Sequence, residues 1–347
     1  MNKAGELWKN VRRWLPGVLI SLVAFYAVFR VASWQDLTAA FAAVKLPNLA
    51  TAFALTILSL LTRSIAWRIL LQDKPSLKQS FLIINEGYLL NNLFPLRAGE
   101  IGRAVFMGQA SGLGGFHVLS TIVIERLFDL FMAAIMLLST LPLAITMDWV
   151  KPIAVITLVV VLAALVAMFF VARYHEKVAA WLSGIGKRWA FFGRVVMPRL
   201  DSLFDGLTTL TQPRRFLMAL FWIALSWVVW VLMYYFMLLS IAPQAPLWWA
   251  IFTDGVLAMG VAIPSAPGAL GVYEASIVGA LSIFGINASA ALAFALIMHL
   301  LQYATTGVFG VIGLISQRHS LSAVLQSSNT KSETQTEQKS SLDEKPI

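Results

Sequence analysis

Residues 91–103 read NNLFPLRAGEIGR, and residues 264–274 read PSAPGALGVYE. The first stretch puts Pro95, Gly99 and Gly102 among Arg97, Glu100 and Arg103, between two apolar runs. The second repeats the spacing with Pro264, Gly268 and Gly271, 169 residues later. Proline and glycine at these positions break a helix rather than continue it. Each stretch therefore predicts two short helical legs joined by a turn, over 80–112 and 246–285. The shift of 169 residues also carries an apolar run at 48–72 onto 217–241, and one at 117–141 onto 286–310. Each half of the chain reads as span, broken hairpin, span.

The surrounding chain is apolar. Of its 347 residues, 59% are hydrophobic and 12% charged, against about a quarter charged in soluble domains. Several runs reach the ~20 apolar residues needed to cross a bilayer. The chain contains no cysteine, which excludes a disulfide framework, a thiol nucleophile and thiolate metal ligands. The net charge of +9 gathers beside apolar segments, where it fits membrane topology and anionic lipid better than nucleic acid. No cofactor and no metal are expected.

Full spans are expected near 15–32, 48–72, 117–141, 152–172, 216–241 and 289–316. The run 15–32, preceded by Lys3, Lys9, Arg12 and Arg13, is too long for a signal peptide and reads as an uncleaved helix. Basic residues stay on the cytoplasmic side. Residues 1–14 hold four basic groups and one acid, and 173–215 hold eight against three. Both belong in the cytoplasm only if 80–112 enters and leaves on one side. Its legs of about 15 residues reach about 22 Å as helix, short of the ~30 Å hydrocarbon core, so re-entrant hairpins are favoured. The first repeat then starts outside and the second inside. The expected fold is an all-α polytopic membrane protein, with about six full transmembrane helices and two broken helical hairpins in an inverted repeat. Its segments are an N-terminus and first helix (1–47), repeat one (48–141), an added helix with a basic amphipathic segment (142–215), repeat two (216–316) and a polar tail (317–347). Trp181, Trp189 and Phe191 among Lys187, Arg188, Arg194 and Arg199 read as helix on the cytoplasmic leaflet. The tail has little to bury and is expected to be disordered.

Charge at membrane depth costs about 2.5–3.5 kcal/mol per residue even on insertion scales, so such groups are either paired or functional. Arg97, Glu100 and Arg103 lie on the turn and second leg of hairpin one. Glu125, Arg126 and Asp129 lie two turns inside a full span; their structural reading is a buried network to Arg97 or Arg103. Glu274, after the second turn, has no basic neighbour in sequence, so its partner is distant or it holds a proton. Asp254 is a weaker candidate. Arg63 is a candidate phosphate contact, Arg68 snorkels, and His299 reads as a packed histidine or a proton relay. Asn85, Glu86, Asn91 and Asn92 add polarity to the first leg. The N-termini of the second legs are expected to offer free N–H groups to an anion.

NNLFPLRAGEIGR, IVIERLFDL and PSAPGALGVYE together resemble the signatures of the lysylphosphatidylglycerol synthase transmembrane-domain family, over about 48–316. The resemblance implies a flippase-like integral protein of the bacterial cytoplasmic membrane, handling phospholipid. It places Arg97, Glu100, Arg103, Glu125, Arg126, Asp129, Pro267, Gly268, Gly271 and Glu274 at motif positions. The family's full synthase carries a soluble aminoacyl-transferase domain that this chain lacks, so lysyl transfer does not follow. The expected function is translocation of a charged-headgroup lipid, phospholipid or polyprenyl-type, without catalysis, with N- and C-termini in the cytoplasm. Substrate contacts are expected at Arg97, Glu100, Arg103, Glu125, Arg126, Asp129 and Glu274, and hairpin turns at Pro95, Gly99, Gly102, Pro264, Pro267, Gly268 and Gly271. The alternatives are a non-catalytic subunit partnering a lipid-modifying enzyme, or an integral-membrane enzyme using Glu125 and Asp129 as acid and base.

Overall fold

The computed structural model describes residues 19–24, 26–27, 30, 33–94, 97–144, 150–174, 177–178, 197–207, 211–263 and 265–317. Pro95, Pro264, most of the amphipathic segment (Trp181, Trp189 and Phe191 included) and the tail lie outside the described residues. Among the described residues there is helix and no strand. The elements are α1 Trp34–Ala42, α2 Leu46–Leu70, α3 Leu77–Leu93, α4 Ala98–Ser111, α5 Gly115–Ala144, α6 Val150–Arg173, α7 Met197–Leu207, α8 Pro213–Leu238, α9 Leu247–Ala262, a 3₁₀ turn Pro267–Ala269, α10 Val272–Ser282 and α11 Ala288–Ser316. By length and composition, α2, α8 and α11 are able to cross a membrane. Helix α5 is 30 residues long, but its middle carries Glu125, Arg126 and Asp129. Short helix α1, capped by the Ser33 hydroxyl on the Asp36 N–H, has no counterpart among the expected segments.

Local chemistry explains where helices start and stop. Pro47 and Pro213 occupy the first turns of α2 and α8, where no N–H is needed. Ser76 and Gln79 form a capping box at the start of α3, satisfying two orphan donors. Gly112, at φ 70°, ends α4. Arg97 begins α4 in the left-handed region, at φ 54°. Its counterpart turn contains both Gly268 (φ 66°) and Ala269 (φ 58°). That extra 3₁₀ turn delays α10, so the second hairpin's return leg is shorter than the first's. A shift of 169 residues carries α3 onto 246–262, almost the bounds of α9, and carries the start of α4 onto Pro267, the start of the 3₁₀ turn.

Two of the main helix pairs run antiparallel. Helices α2 and α8 form the central pair. The Asn48 amide donates to the Ser240 hydroxyl at 2.9 Å, and the Ser59 hydroxyl donates to the Ser226 carbonyl at 3.3 Å. At the other end Arg215 meets Asp73 at 3.0 Å. Helix α3 packs on α11, and α5 on α9. The first of these pairs is again antiparallel, with Asn92 near Thr306 and Glu86 near Gln317. Helix α7 lies on the start of α5, where a Cβ on Gly206 would come within 2.6 Å of the His117 carbonyl. Trp67, near the end of α2, donates to Thr121, near the start of α5. Hairpin one therefore begins and ends at the same end of the bundle.

Two apolar clusters, each drawing residues from both halves of the chain, stabilise the bundle, one around Trp67, Ile83, Phe106 and Phe128, the other around Tyr234, Ile277, Leu281 and Phe294. Outward faces are also apolar: Leu217, Phe221 and Val228 on α8 and Leu300, Val308 and Ile315 on α11 are exposed. Such continuous apolar surface marks contact with another apolar phase. Buried hydroxyls turn back onto their own helix, as Thr56 does to Ala52 at 2.8 Å and Ser64 to Leu60 at 2.6 Å. In hydrocarbon this removes the cost of an unpaired donor.

Candidate functional site

The hairpin tips meet. Arg97 Nη2 donates to the Val261 carbonyl at the end of α9, at 2.8 Å. Beside this contact lies a cavity of about 670 Å³, lined by both hairpins and by α2, α5, α8 and α11. It sits halfway along the helices. Asp129 on its wall is fourteen residues after Gly115 and fifteen before Ala144, and Ser226 is thirteen after Pro213 and twelve before Leu238.

Four arginines and three carboxylates crowd one wall. Glu125 is the hub. Its Oε1 accepts from Arg63 Nε and Nη2, and its Oε2 from Arg103 Nη2 at 2.7 Å. Arg126 Nη2 reaches the same Oε1 at 3.2 Å. Arg63 forks between Glu125 and Asp129, donating to both oxygens of the latter. Asp129 also accepts from the Trp227 indole at 3.1 Å. Arg103 is sealed: its guanidinium lies 4.1 Å from the Trp67 ring centre, and 2% of its side chain is exposed. Planar stacking on an aromatic face beside a bidentate carboxylate is the arrangement guanidinium suits best.

Pairing weakens toward the cavity. Arg126 lies 3.3 Å from Asp129 and 3.5 Å from Glu100, and its buried Nε has no hydrogen-bond partner. Arg97 is 3.7 Å from Glu100, with 47% of its side chain exposed. Arg63, Arg97, Arg103 and Arg126 against Glu100, Glu125 and Asp129 leave an excess of one positive charge. The excess falls on the side facing the cavity.

Of the residues expected from sequence, Arg97, Glu100, Arg126 and Asp129 line the cavity, with Pro267 and Gly268 of the second turn. Arg103 and Glu125 stand behind that wall and hold it. Glu274 is buried on α10, with Oε2 accepting from the Gly271 N–H at 2.7 Å and Oε1 2.6 Å from His299 Nδ1. Its distant partner is thus His299, which does line the cavity. Arg63 also lines it, but its guanidinium is engaged by two carboxylates instead of standing free for phosphate. The expectation of free N–H groups is corrected at two positions. The Gly99 N–H donates to Asn91 Oδ1 at 2.8 Å, and the Gly271 N–H to Glu274. Trp227, Trp230 and Tyr273 on the wall carried no signal in a chain with 12 tryptophans spread along it. Gly99 acts by closeness: a Cβ there would overlap the Gly87 carbonyl.

Fold and site together define an all-helical integral membrane protein with an ion-paired cavity between two broken hairpins. The sequence pattern of the lysylphosphatidylglycerol synthase TM region matches residues 14–310, and the chain belongs to that family. It is similar to a UPF0104 membrane protein of Methanothermobacter thermautotrophicus, 25% identical over 323 residues, covering 86% of this chain and 90% of the relative. A UPF0104 membrane protein of Methanocaldococcus jannaschii is 24% identical over 235 residues, 64% of this chain and 92% of the relative. Both relatives are archaeal, so the membrane location holds while the expected restriction to bacteria has no support from them.

Proposed function

We propose that the protein moves a lipid with an anionic, phosphate-bearing headgroup between leaflets, without chemical conversion. The observation that carries this reading is the cavity halfway along the helices, where the hairpin tips meet and the arginine excess faces open space. A guanidinium binds phosphate through paired, charge-assisted hydrogen bonds. Leu93, Ile101, Ile263 and Leu270, near the two tips, are exposed, which lets acyl chains remain in hydrocarbon while the headgroup enters. Arg126 Nε is buried and held only by a 3.5 Å ion pair with Glu100, without a hydrogen bond, so a phosphate oxygen would give it a better acceptor.

In the same reading, the two halves form an inverted repeat. Matched helix bounds at a constant shift, with equivalent helices α2 and α8 running antiparallel, support it. Broken helices at matching positions of inverted repeats frame the midplane site in many transporters, and rocking of one half on the other would expose the cavity to each leaflet in turn. The end of α2 near Asp73, the start of α3 and the start of α8 carry Lys74, Lys78, Arg214 and Arg215, which favours that side as cytoplasmic. Because the chain lacks cysteine, single cysteines at positions 78 and 244 report sidedness cleanly. Position 78 should react with an impermeant maleimide only from the cytoplasm, and 244 only from outside. The reverse pattern overturns the orientation.

The transport test uses purified protein in liposomes, with fluorescent phosphatidylglycerol in one leaflet. Wild-type protein should move the label. A hydrogen bond to a charged group is worth about 1.5–3 kcal/mol, so Arg97→Ala should slow movement by about ten- to a hundredfold. Its thermal stability should change little, since exposed ion pairs contribute about 0–1 kcal/mol. Equal rates with and without protein, or an unaffected Arg97→Ala variant, would remove this reading.

A further inference from the structure

On the wall opposite the arginines, the geometry counts protons. His299 Nε2 lies 3.0 Å from the Gly268 carbonyl oxygen. A carbonyl oxygen only accepts, so Nε2 carries a hydrogen. His299 Nδ1 lies 2.6 Å from Glu274 Oε1, and one of these two atoms must donate. Either histidine is neutral and Glu274 is a carboxylic acid, or histidine is cationic and Glu274 is a carboxylate. Both forms hold the same number of protons and are neutral as a pair. Removing that proton while the Gly268 contact stays would set two lone pairs against each other at hydrogen-bond distance, in a site where both residues are buried. No lysine or arginine among the described residues forms an ion pair with Glu274 that could take the proton's place.

We infer that Glu274 and His299 form a proton-binding site on the cavity wall, emptied and refilled by movement of the second hairpin's turn. The device is the Gly268 carbonyl. It accepts from His299 and from the Tyr303 hydroxyl, at 2.7 Å, and it sits in the 3₁₀ turn that breaks the hairpin. When the turn draws away, Nε2 loses its acceptor. The hydrogen of the neutral ring then sits on Nδ1 and donates to the Glu274 carboxylate. One proton leaves through the cavity that His299 lines, and the pair becomes singly negative. Return of the turn restores the Nε2–H bond and takes a proton back. The titratable groups facing the pair are Tyr273 of α10, stacked on the imidazole at 3.9 Å, Tyr303 of α11, Tyr234 of α8, bonded to Tyr273, and Asp254 of α9 on the same cavity wall. Helices α2 and α3 bring Arg63 and Tyr88 to that cavity. Glu86 of α3 meets the far end of α11, and Asp36 of α1 is exposed.

Coupling of this proton to headgroup passage rests on the translocase reading, so two measurements are needed. Nitrogen-15 NMR of the purified full chain examines the site alone, the His299 signals being assigned among four histidines by difference with His299→Gln. Wild-type protein should show the shared proton between His299 Nδ1 and Glu274, and Glu274→Gln should lose it. A neutral ring with bare Nδ1 beside an ionised Glu274 would overturn the site. The second measurement uses the fluorescent phosphatidylglycerol liposomes under an imposed pH gradient, with the membrane potential clamped. If one proton moves per lipid, a gradient of one unit should bias the leaflet distribution about tenfold. Glu274→Gln and His299→Gln should abolish the bias. Lipid movement indifferent to the gradient would overturn the coupling and leave the translocase reading standing. A protein that moves no lipid would end both the translocase reading and the coupling, while the spectra still decide the proton site.

Discussion

Replacing Glu125 by alanine is expected to destabilise the protein by about 3–5 kcal/mol, the cost of stranding a buried charge. Three arginines converge on this carboxylate. Arg63 and Arg126 keep Asp129 as a second partner. Arg103 keeps only the Trp67 face, which offers a cation far less than a carboxylate does. With its guanidinium buried and unpaired, α4 should come away from α5 or draw in water. The readout is the midpoint of thermal unfolding in detergent and the fraction surviving gel filtration. Glu125→Gln keeps an acceptor and the side-chain volume, so its loss should be smaller. An alanine variant as stable as wild type would show that the hub does not hold the hairpin to α5.

Gly99→Ala should produce the second large effect. The Gly99 and Gly87 backbones approach so closely that an added Cβ would overlap the Gly87 carbonyl oxygen. That neighbour is helix backbone and cannot turn aside as a side chain would. The legs of hairpin one must therefore separate, at a cost of about 1–3 kcal/mol or more. Separation would also break the bond from the Gly99 N–H to Asn91 and shift Arg97 from Val261. Reduced thermal stability together with lost lipid movement is expected, and wild-type behaviour in both would show that the legs have slack. Gly279→Ala is the control, because a Cβ there meets nothing within 4 Å.

Much of the architecture was legible because it is local. Proline and glycine spacing located both breaks: the legs were expected over 80–112 and 246–285, and the helices run 77–111 and 247–282 around their turns. The run at 117–141 appears as Gly115–Ala144, and that at 289–316 as Ala288–Ser316. The short helix α1 escaped notice, because nine residues of mixed character beside a span give no periodic signal. At the site, charge in an apolar chain singled out the right residues but not their partners. Arg63, well inside a span, reads from sequence as a candidate phosphate contact, whereas its partners Glu125 and Asp129 lie 62 and 66 residues away. His299 reads from sequence as a packed histidine or a proton relay without a named partner, because Glu274 is 25 residues off and on another helix.

The sequence by itself determined where the long apolar helices run, where two hairpins break, and that ionisable groups sit between apolar runs. Backbone conformation and transfer from water depend on each residue and its near neighbours, so they can be read in order along the chain. Tertiary structure alone decided that Arg103 is sealed on Trp67 and Glu125 while Arg97 and Arg126 face the cavity, and that Glu274 meets His299. Those outcomes depend on distances of a few ångströms between separate helices. Over such distances the energy of a buried charge changes by more than any local preference can.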